Sequence, residues 1–265
     1  MGLAALRQLV ARWAREKVRT ADPLRLLVAG APCVLLAAAC LAACTPTTSP
    51  PERLTLAFDF RSDTTGWRAA FSDYPAGREA DVGFDAGVRP LPAPLPAGAA
   101  LYHRGDNISD DLFMYFDRRV TGLRPNAAYR ARFRLEFASN YGDDCTIGVG
   151  ALVYLKAGAS TIEPAGAPDP QGVIRLNVDK GEQMNGGSDA VLLGDVRNGE
   201  PGCDENAPFA VAAREVEASI IVRADAAGGI WLFLGSESAF ESPHELYFTR
   251  LTVSLQRLTT AGGVL

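Results

Sequence analysis

The chain has 265 residues, 48% of them hydrophobic and 22% charged, with a formal net charge of −5. That balance suits a globular chain with a sizeable core, and the acidic excess repels the continuous phosphate backbone of a nucleic acid, which argues against that partner. Only two histidines are present, His103 and His244, neither with a partner at metal-ligand spacing, and no HExxH or GxSxG motif occurs.

Residues 1–20 place Leu3, Leu6, Leu9, Val10 and Trp13 at helical spacing with arginines between them. This is the pattern of a basic amphipathic helix, or of an extension ahead of a downstream start. An uncharged apolar run follows from Leu26 to Cys44, preceded by Arg7, Arg12, Arg15, Lys17, Arg19 and Arg25, the charge layout of an export signal. A retained membrane-spanning helix needs a run of about this length, but Pro32, the alanine-rich composition and the Thr/Pro/Ser linker after Cys44 favour cleavage. Leu41-Ala42-Ala43-Cys44 resembles the lipobox of bacterial lipoproteins, with a bulky aliphatic residue, two small residues and then the cysteine. The resemblance implies cleavage before Cys44 and a membrane anchor of at least two acyl chains on it. Thr45 in place of Asp after that cysteine resembles lipoproteins sent to the outer membrane of Gram-negative bacteria. The expected parts are a signal peptide over 1–43, a lipidated tether over 44–53, a β-sandwich over 54–258 and a tail over 259–265. Loss of residues 1–43 removes six basic and two acidic side chains, which takes the net charge from −5 to −9. Of the five cysteines, Cys33 and Cys40 leave with the signal and Cys44 takes lipid. In an oxidising compartment the remaining pair, Cys145 and Cys203, is expected to form a disulfide.

The segment Thr45 to Arg53, TPTTSPPER, has the Pro/Thr composition of a tether. Leu54, Leu56, Phe58 and Phe60 then alternate with smaller or polar residues, which predicts a half-buried strand. Arg89 to Gly98, RPLPAPLPAG, cannot be a central strand, because its prolines donate no ladder hydrogen bonds. LFMYFDRRV is a strand ending at the Gly122/Pro125 turn, and YRARFRLEF is the clearest of all. Tyr129, Ala131, Phe133, Leu135 and Phe137 share one face of it; Arg130, Arg132, Arg134 and Glu136 share the other. Further strands are predicted in GVGALVYLKAG, GVIRLNVDKG, VLLGDV, VEASIIVRAD, GGIWLFLGS and ELYFTRLTVSL, and no helix-period segment follows Cys44. Many short strands between polar turns predict an all-β fold, an antiparallel β-sandwich or jelly roll.

The opening FDF…GW and the closing GGIWLFLGSESAF and ELYFTRLTVSL resemble the first and last strands of galactose-binding-like jelly rolls, which include carbohydrate-binding domains. The resemblance implies a saccharide or other envelope ligand held by loops or a concave face, no particular reaction, and a structural Ca²⁺ near the first and last strands. Thr249 stands where such a site would place an acid.

Bridging Cys145 and Cys203 would gather Asp143, Asp144, Asp204 and Glu205, the donor set of a hard cation or a solvated acidic loop pair. GDNISDD, Gly105 to Asp111, has similar composition without EF-hand spacing and is read as turn chemistry. In NVDKGEQMNGGSD, Asn177, Asp179, Gln183 and Asn185 are expected to offer hydrogen bonds to sugar hydroxyls, with Trp67, Tyr74 and Tyr141 as stacking rings. Core packing is the competing expectation for Trp67 and Trp231, which flank strands. Glu237, Glu241 and Glu245 are the carboxylates a glycan hydrolase would draw on, a role set by separation in space. Three readings follow: a lipid-anchored saccharide-binding module, a structural lipoprotein that binds an envelope protein, and a hydrolase for which no catalytic motif is present.

Overall fold

The structure, a computed structural model, describes residues 52–204 and 206–259, with side chains omitted at Asp204. The expected signal segment and Cys44 lie outside the described residues. No helix among the described residues is long and apolar enough to cross a membrane.

The strands, in chain order, are β1 (Arg53–Asp59), β2 (Arg68–Ser72), β3 (Tyr74–Pro75), β4 (Asp85–Pro90), β5 (Ala99–Asp106) and β6 (Phe113–Val120). Next come β7 (Ala128–Ser139), β8 (Gly142–Asp143), β9 (Val153–Ser160), β10 (Gly166–Pro168), β11 (Val173–Leu176) and β12 (Ala190–Asp195). The last are β13 (Cys203–Asp204), β14 (Ala210–Glu215), β15 (Ile220–Arg223), β16 (Ile230–Ser238) and β17 (Pro243–Arg257). Two single-turn helices, Glu79–Val82 and Val149–Leu152, interrupt them where no helix was expected.

The strands form an antiparallel β-sandwich. Its large sheet has seven strands: the path β14-β7-β17-β5-β4, with β1 on β17 and β15 on β7. The second sheet has five, ordered β12-β9-β16-β6-β2. Strand β17, fifteen residues long, is the spine of the large sheet: β7 runs along one side of it, and β5 and then β1 along the other. The alternation in β7 decides which way that sheet faces. Tyr129, Ala131, Phe133, Leu135 and Phe137 are buried against Leu155, Ala157, Leu232 and Leu234 of the second sheet, while Arg130 and Arg132 are exposed. Large aliphatic and aromatic side chains such as these each contribute roughly 1.5–3 kcal/mol when taken out of water.

β1 lies where the alternation predicts, but Leu54, Leu56 and Phe58 are only half-buried, because β1 is an edge strand. The proline segment begins with the last two residues of β4, Arg89 and Pro90, on another edge, where missing ladder donors leave no partner strand unsatisfied. Of the strands in the two main sheets, β2, β4, β5 and β14 were not predicted. β5 lacks alternation because most of its residues are buried, and β14, AVAARE, has small side chains on both faces.

At one end of the inter-sheet core the Ser236 hydroxyl sits 3.0 Å from Nε2 of His103 and 3.0 Å from Nε2 of His244. All three are buried, and burial lowers the pKa of both rings, that of His244 to about 4.

Candidate functional site

The second sheet differs from the large one in having both faces covered. After β9 the chain leaves the sheet, forms the β10–β11 hairpin, passes through residues 177–189 and returns as β12 beside β9. This excursion roofs the outer face: Val178 is buried on Phe113, Tyr115 and Phe233, with Leu176 packed alongside. Every residue of β9 is therefore buried, Lys156 included. The floor is flattened to receive the roof at Gly158, where a Cβ would lie 2.3 Å from both the Phe233 ring and the Asp189 carbonyl oxygen.

Lys156 pins roof to floor. Its ammonium forms an ion pair with Glu237 and donates to the carbonyl oxygens of Lys180 (3.1 Å) and Asn185 (3.0 Å). Lys180 reaches down from the roof to the same Glu237 and lies 3.5 Å from Asp73. Burial lowers the Lys156 pKa and the Glu237 charge opposes that shift. A similar pair closes the neighbouring edge, where Arg68 binds the buried Asp117; burial raises the carboxyl pKa and Arg68 counters it.

Within the roof, Asp179 accepts from the backbone N–H groups of Gly181 (3.0 Å) and Ser188 (2.8 Å), bonds that lower its pKa. Asn177 joins the hairpin by accepting from Ala165 N (2.9 Å) and donating to Glu163 O (2.9 Å). Gly181 has φ +72°, and a Cβ there would lie 2.3 Å from the Asn185 carbonyl, so the turn requires glycine.

Two adjoining depressions flank this loop and share Glu182. One, of about 710 Å³, is lined by Asp110, Asp111, Tyr154, Gln183, Met184 and Asn185. The other, of about 500 Å³, is lined by Asp73, Arg175, Asp179, Lys180 and Gly181. Their polar groups hold one another loosely. Arg175 reaches Asp111 at 3.4 Å and Asp73 at 3.2 Å, and Gln183 Nε2 reaches Asp111 at 3.3 Å and the Asp110 carbonyl at 3.4 Å. Met184, 63% exposed, stands at the rim. The result is an open groove with a guanidinium, carboxylates, an amide and an apolar edge.

Of the residues expected to bind a ligand, Gln183 and Asn185 line the groove with their neighbour Asp179, whereas Asn177 serves the hairpin. The three aromatic residues do not join them. Trp67 is half-buried between Phe58 and Phe60, 5.3 Å from each ring; Tyr74 is buried against Phe71; and Tyr141 is buried with its hydroxyl accepting from Glu245 N at 3.1 Å. The three carboxylates weighed for hydrolysis are also apart in role: Glu237 is paired to two lysines, Glu241 is exposed, and Glu245 accepts from the Tyr102 hydroxyl at 2.8 Å.

A disulfide joins Cys145 to Cys203, with Cα atoms 5.0 Å apart beside the β8–β13 ladder. Asp143 accepts from Gly199 N (3.0 Å) and Asp144 from Gly202 N (2.7 Å), both tying the 142–144 segment to the 199–202 segment. Glu205 lies outside the described residues, and only the backbone of Asp204 is described. Among the described residues no group of three or more His, Cys, Asp or Glu is placed to hold a metal ion. The GDNISDD loop is organised by Asn107, which accepts from Ser109 N and Leu112 N and donates to Ser238 O.

Lys156 was not singled out in the sequence, and Glu237 was weighed there as a hydrolase carboxylate, not as the partner of two lysines. Their only signal is a charge in each of two otherwise apolar strand segments, VYLKAG and WLFLGSES.

No protein-family model matches the chain, and no curated protein matches it. Among solved structures it is similar to a xylan-binding domain from Paenibacillus barcinonensis, at 12% identity over 77% of this chain and 95% of that one, with a TM-score of 0.34. It is similar also to the K3 cleaved adhesin domain of Lys-gingipain from Porphyromonas gingivalis, at 12% identity over 76% of this chain and 98% of that one, TM-score 0.32. The enzymatically active domain of tailspike protein 4 from bacteriophage CBA120 is 9% identical over 72% of this chain, which spans 19% of that structure's length, TM-score 0.31. Each likeness is weak and says nothing of a ligand here.

Proposed function

We propose that this chain is an exported protein, anchored to the cell envelope by lipid on Cys44, whose β-sandwich binds a saccharide in the groove beside residues 177–189. The groove carries this reading. Arg175, Asp111 and Gln183 engage one another only at 3.3–3.4 Å, so their donors and acceptors can exchange partners for sugar hydroxyls with little loss. The loop that presents Gln183 is nevertheless fixed from below by Lys156, which lowers the ordering cost of binding. Export is supported by the LAAC motif after a basic and apolar segment, and by the disulfide, a bond suited to an oxidising compartment.

The test is a glycan panel screened with the oxidised protein, followed by calorimetry on Asp111→Ala and Gln183→Ala. The expected outcome is a glycan hit whose affinity falls about tenfold in either variant, the loss of roughly one charge-assisted hydrogen bond. A panel with no hit, or a hit indifferent to both substitutions, overturns the groove assignment.

A further inference from the structure

The outer face of the large sheet has a different chemistry. Across its strands Arg53 and Arg130 flank Gln256, Arg132 stands beside Ser254 in the next outward row, and Arg134 beside Thr252 in the third. Together they line an open depression of about 390 Å³. In a chain of net charge −5, this is a concentration of guanidinium groups that its own acids leave largely unneutralised. Arg53 and Arg130 take no ion-pair or side-chain hydrogen-bond partner among the described residues. The carboxylate nearest Arg132 is that of the fully exposed Glu217, at 3.9 Å. Arg134 alone is well paired, with Glu136 and, at 3.6 Å, with Glu215. Two free guanidinium groups and a third held only at 3.9 Å by an exposed carboxylate, beside two hydroxyls and an amide, form a surface complementary to phosphate oxygens.

The position of the patch along the chain selects the source of that phosphate. Arg53 opens the first strand and stands nine residues after Cys44, so a lipid on Cys44 keeps the membrane within about 30 Å of it even with the tether fully extended. We infer that the arginine face of the large sheet docks on the anionic lipid headgroups of the membrane that holds Cys44. This inference rests on the lipid-anchor reading. Docking in this way turns the outer face of the second sheet, and with it the groove, away from the membrane. Tethering makes the contact intramolecular, so a modest attraction is enough to populate it. Each arginine near an anionic surface contributes about a fivefold preference for the docked state.

The experiment uses the full lipidated chain in vesicles of phosphatidylcholine alone and of phosphatidylcholine with phosphatidylglycerol. Vesicle flotation reads anchoring, and phenylglyoxal modification followed by mass spectrometry reads each arginine, with Arg78, which lies outside both sheets, as the internal reference. The expected result is flotation with both compositions. Modification of Arg53, Arg130 and Arg132 should slow at least about fivefold on the anionic vesicles only, and the protection should vanish in about 0.5 M salt. The double variant Arg130→Glu, Arg132→Glu should lose the protection at Arg53 while still floating. Flotation with equal arginine reactivity on both compositions overturns docking and leaves the anchor standing. Failure to float on either overturns the anchor and docking together. Equal protection by inorganic phosphate on both compositions makes the depression a small-anion site and overturns the membrane assignment.

Discussion

The outer faces of the two sheets start from the same period-two alternation and end in opposite electrostatic states. On the large sheet no described residue covers Arg130 or Arg132, both exposed, so water solvates them and they need no buried partner. On the second sheet the 161–189 excursion seals the face, and every charge beneath it is matched: Lys156 and Lys180 to Glu237, and Arg68 to Asp117. A charged residue in a strand thus carries no fixed energetic meaning. What the chain later folds over it decides whether it is a solvated surface group or a member of a network whose loss is costly.

The sharpest way to break this comparison is to make the same lesion on both faces. Glu237→Ala strands two ammonium groups under the roof and is expected to cost about 3–5 kcal/mol in urea unfolding, whereas Arg130→Ala should stay within about 0.5 kcal/mol. Equal losses would mean that the roof does not seal its charges. Replacing Cys145 and Cys203 together with serine removes a cross-link spanning 58 residues, and about 4 kcal/mol is the expected loss in the chain-entropy model. Because this bridge lies outside both faces, its loss should add to that of Glu237→Ala without coupling.

The next effect probes the core between the sheets. Burial holds His244 near pKa 4 against an ordinary 6.5, so the unfolded chain takes up a proton that the folded one refuses. Stability should therefore be fully present above pH 6.5 and fall as the pH drops toward 4, with His244 alone accounting for about 3 kcal/mol. His103, lowered in the same direction, deepens the fall. Urea titrations across that range check it, and a His244→Gln variant should flatten the profile. The smallest stability effects belong to the groove: Gln183→Ala should change unfolding by less than about 1 kcal/mol, which separates a binding defect from a folding one.

The sequence reading was most successful where a strand has one wet face. In β7 the alternation of arginines with Phe133, Leu135 and Phe137 gave both the strand and its orientation. It was less successful at β5, where nothing in AALYHRGD alternates because the strand is buried nearly throughout, so His103 offered no periodic cue. GVGALVYLKAG was read as a strand, but with β9 buried throughout no alternation set Lys156 apart. The loop 177–189 was recognised as a candidate from its amides and glycines, and Gln183 and Asn185 do line the groove. Their partners Asp111, Tyr154 and Arg175 come from distant segments joined only by the fold. Local composition favoured the aromatic residues as well, but adjacency to a polar loop does not expose a ring: Tyr74 and Tyr141 are buried.

The Ser236 hydroxyl between two imidazoles has one proton to give. It can donate to only one Nε2 and must accept from the other, so with both rings neutral His103 and His244 are forced into opposite tautomers. Two buried histidines sharing one hydroxyl are thereby made chemically unlike. Nitrogen-15 spectra should resolve them as one Nε2–H and one Nδ1–H species, a labelling of the core that Ser236→Ala would erase.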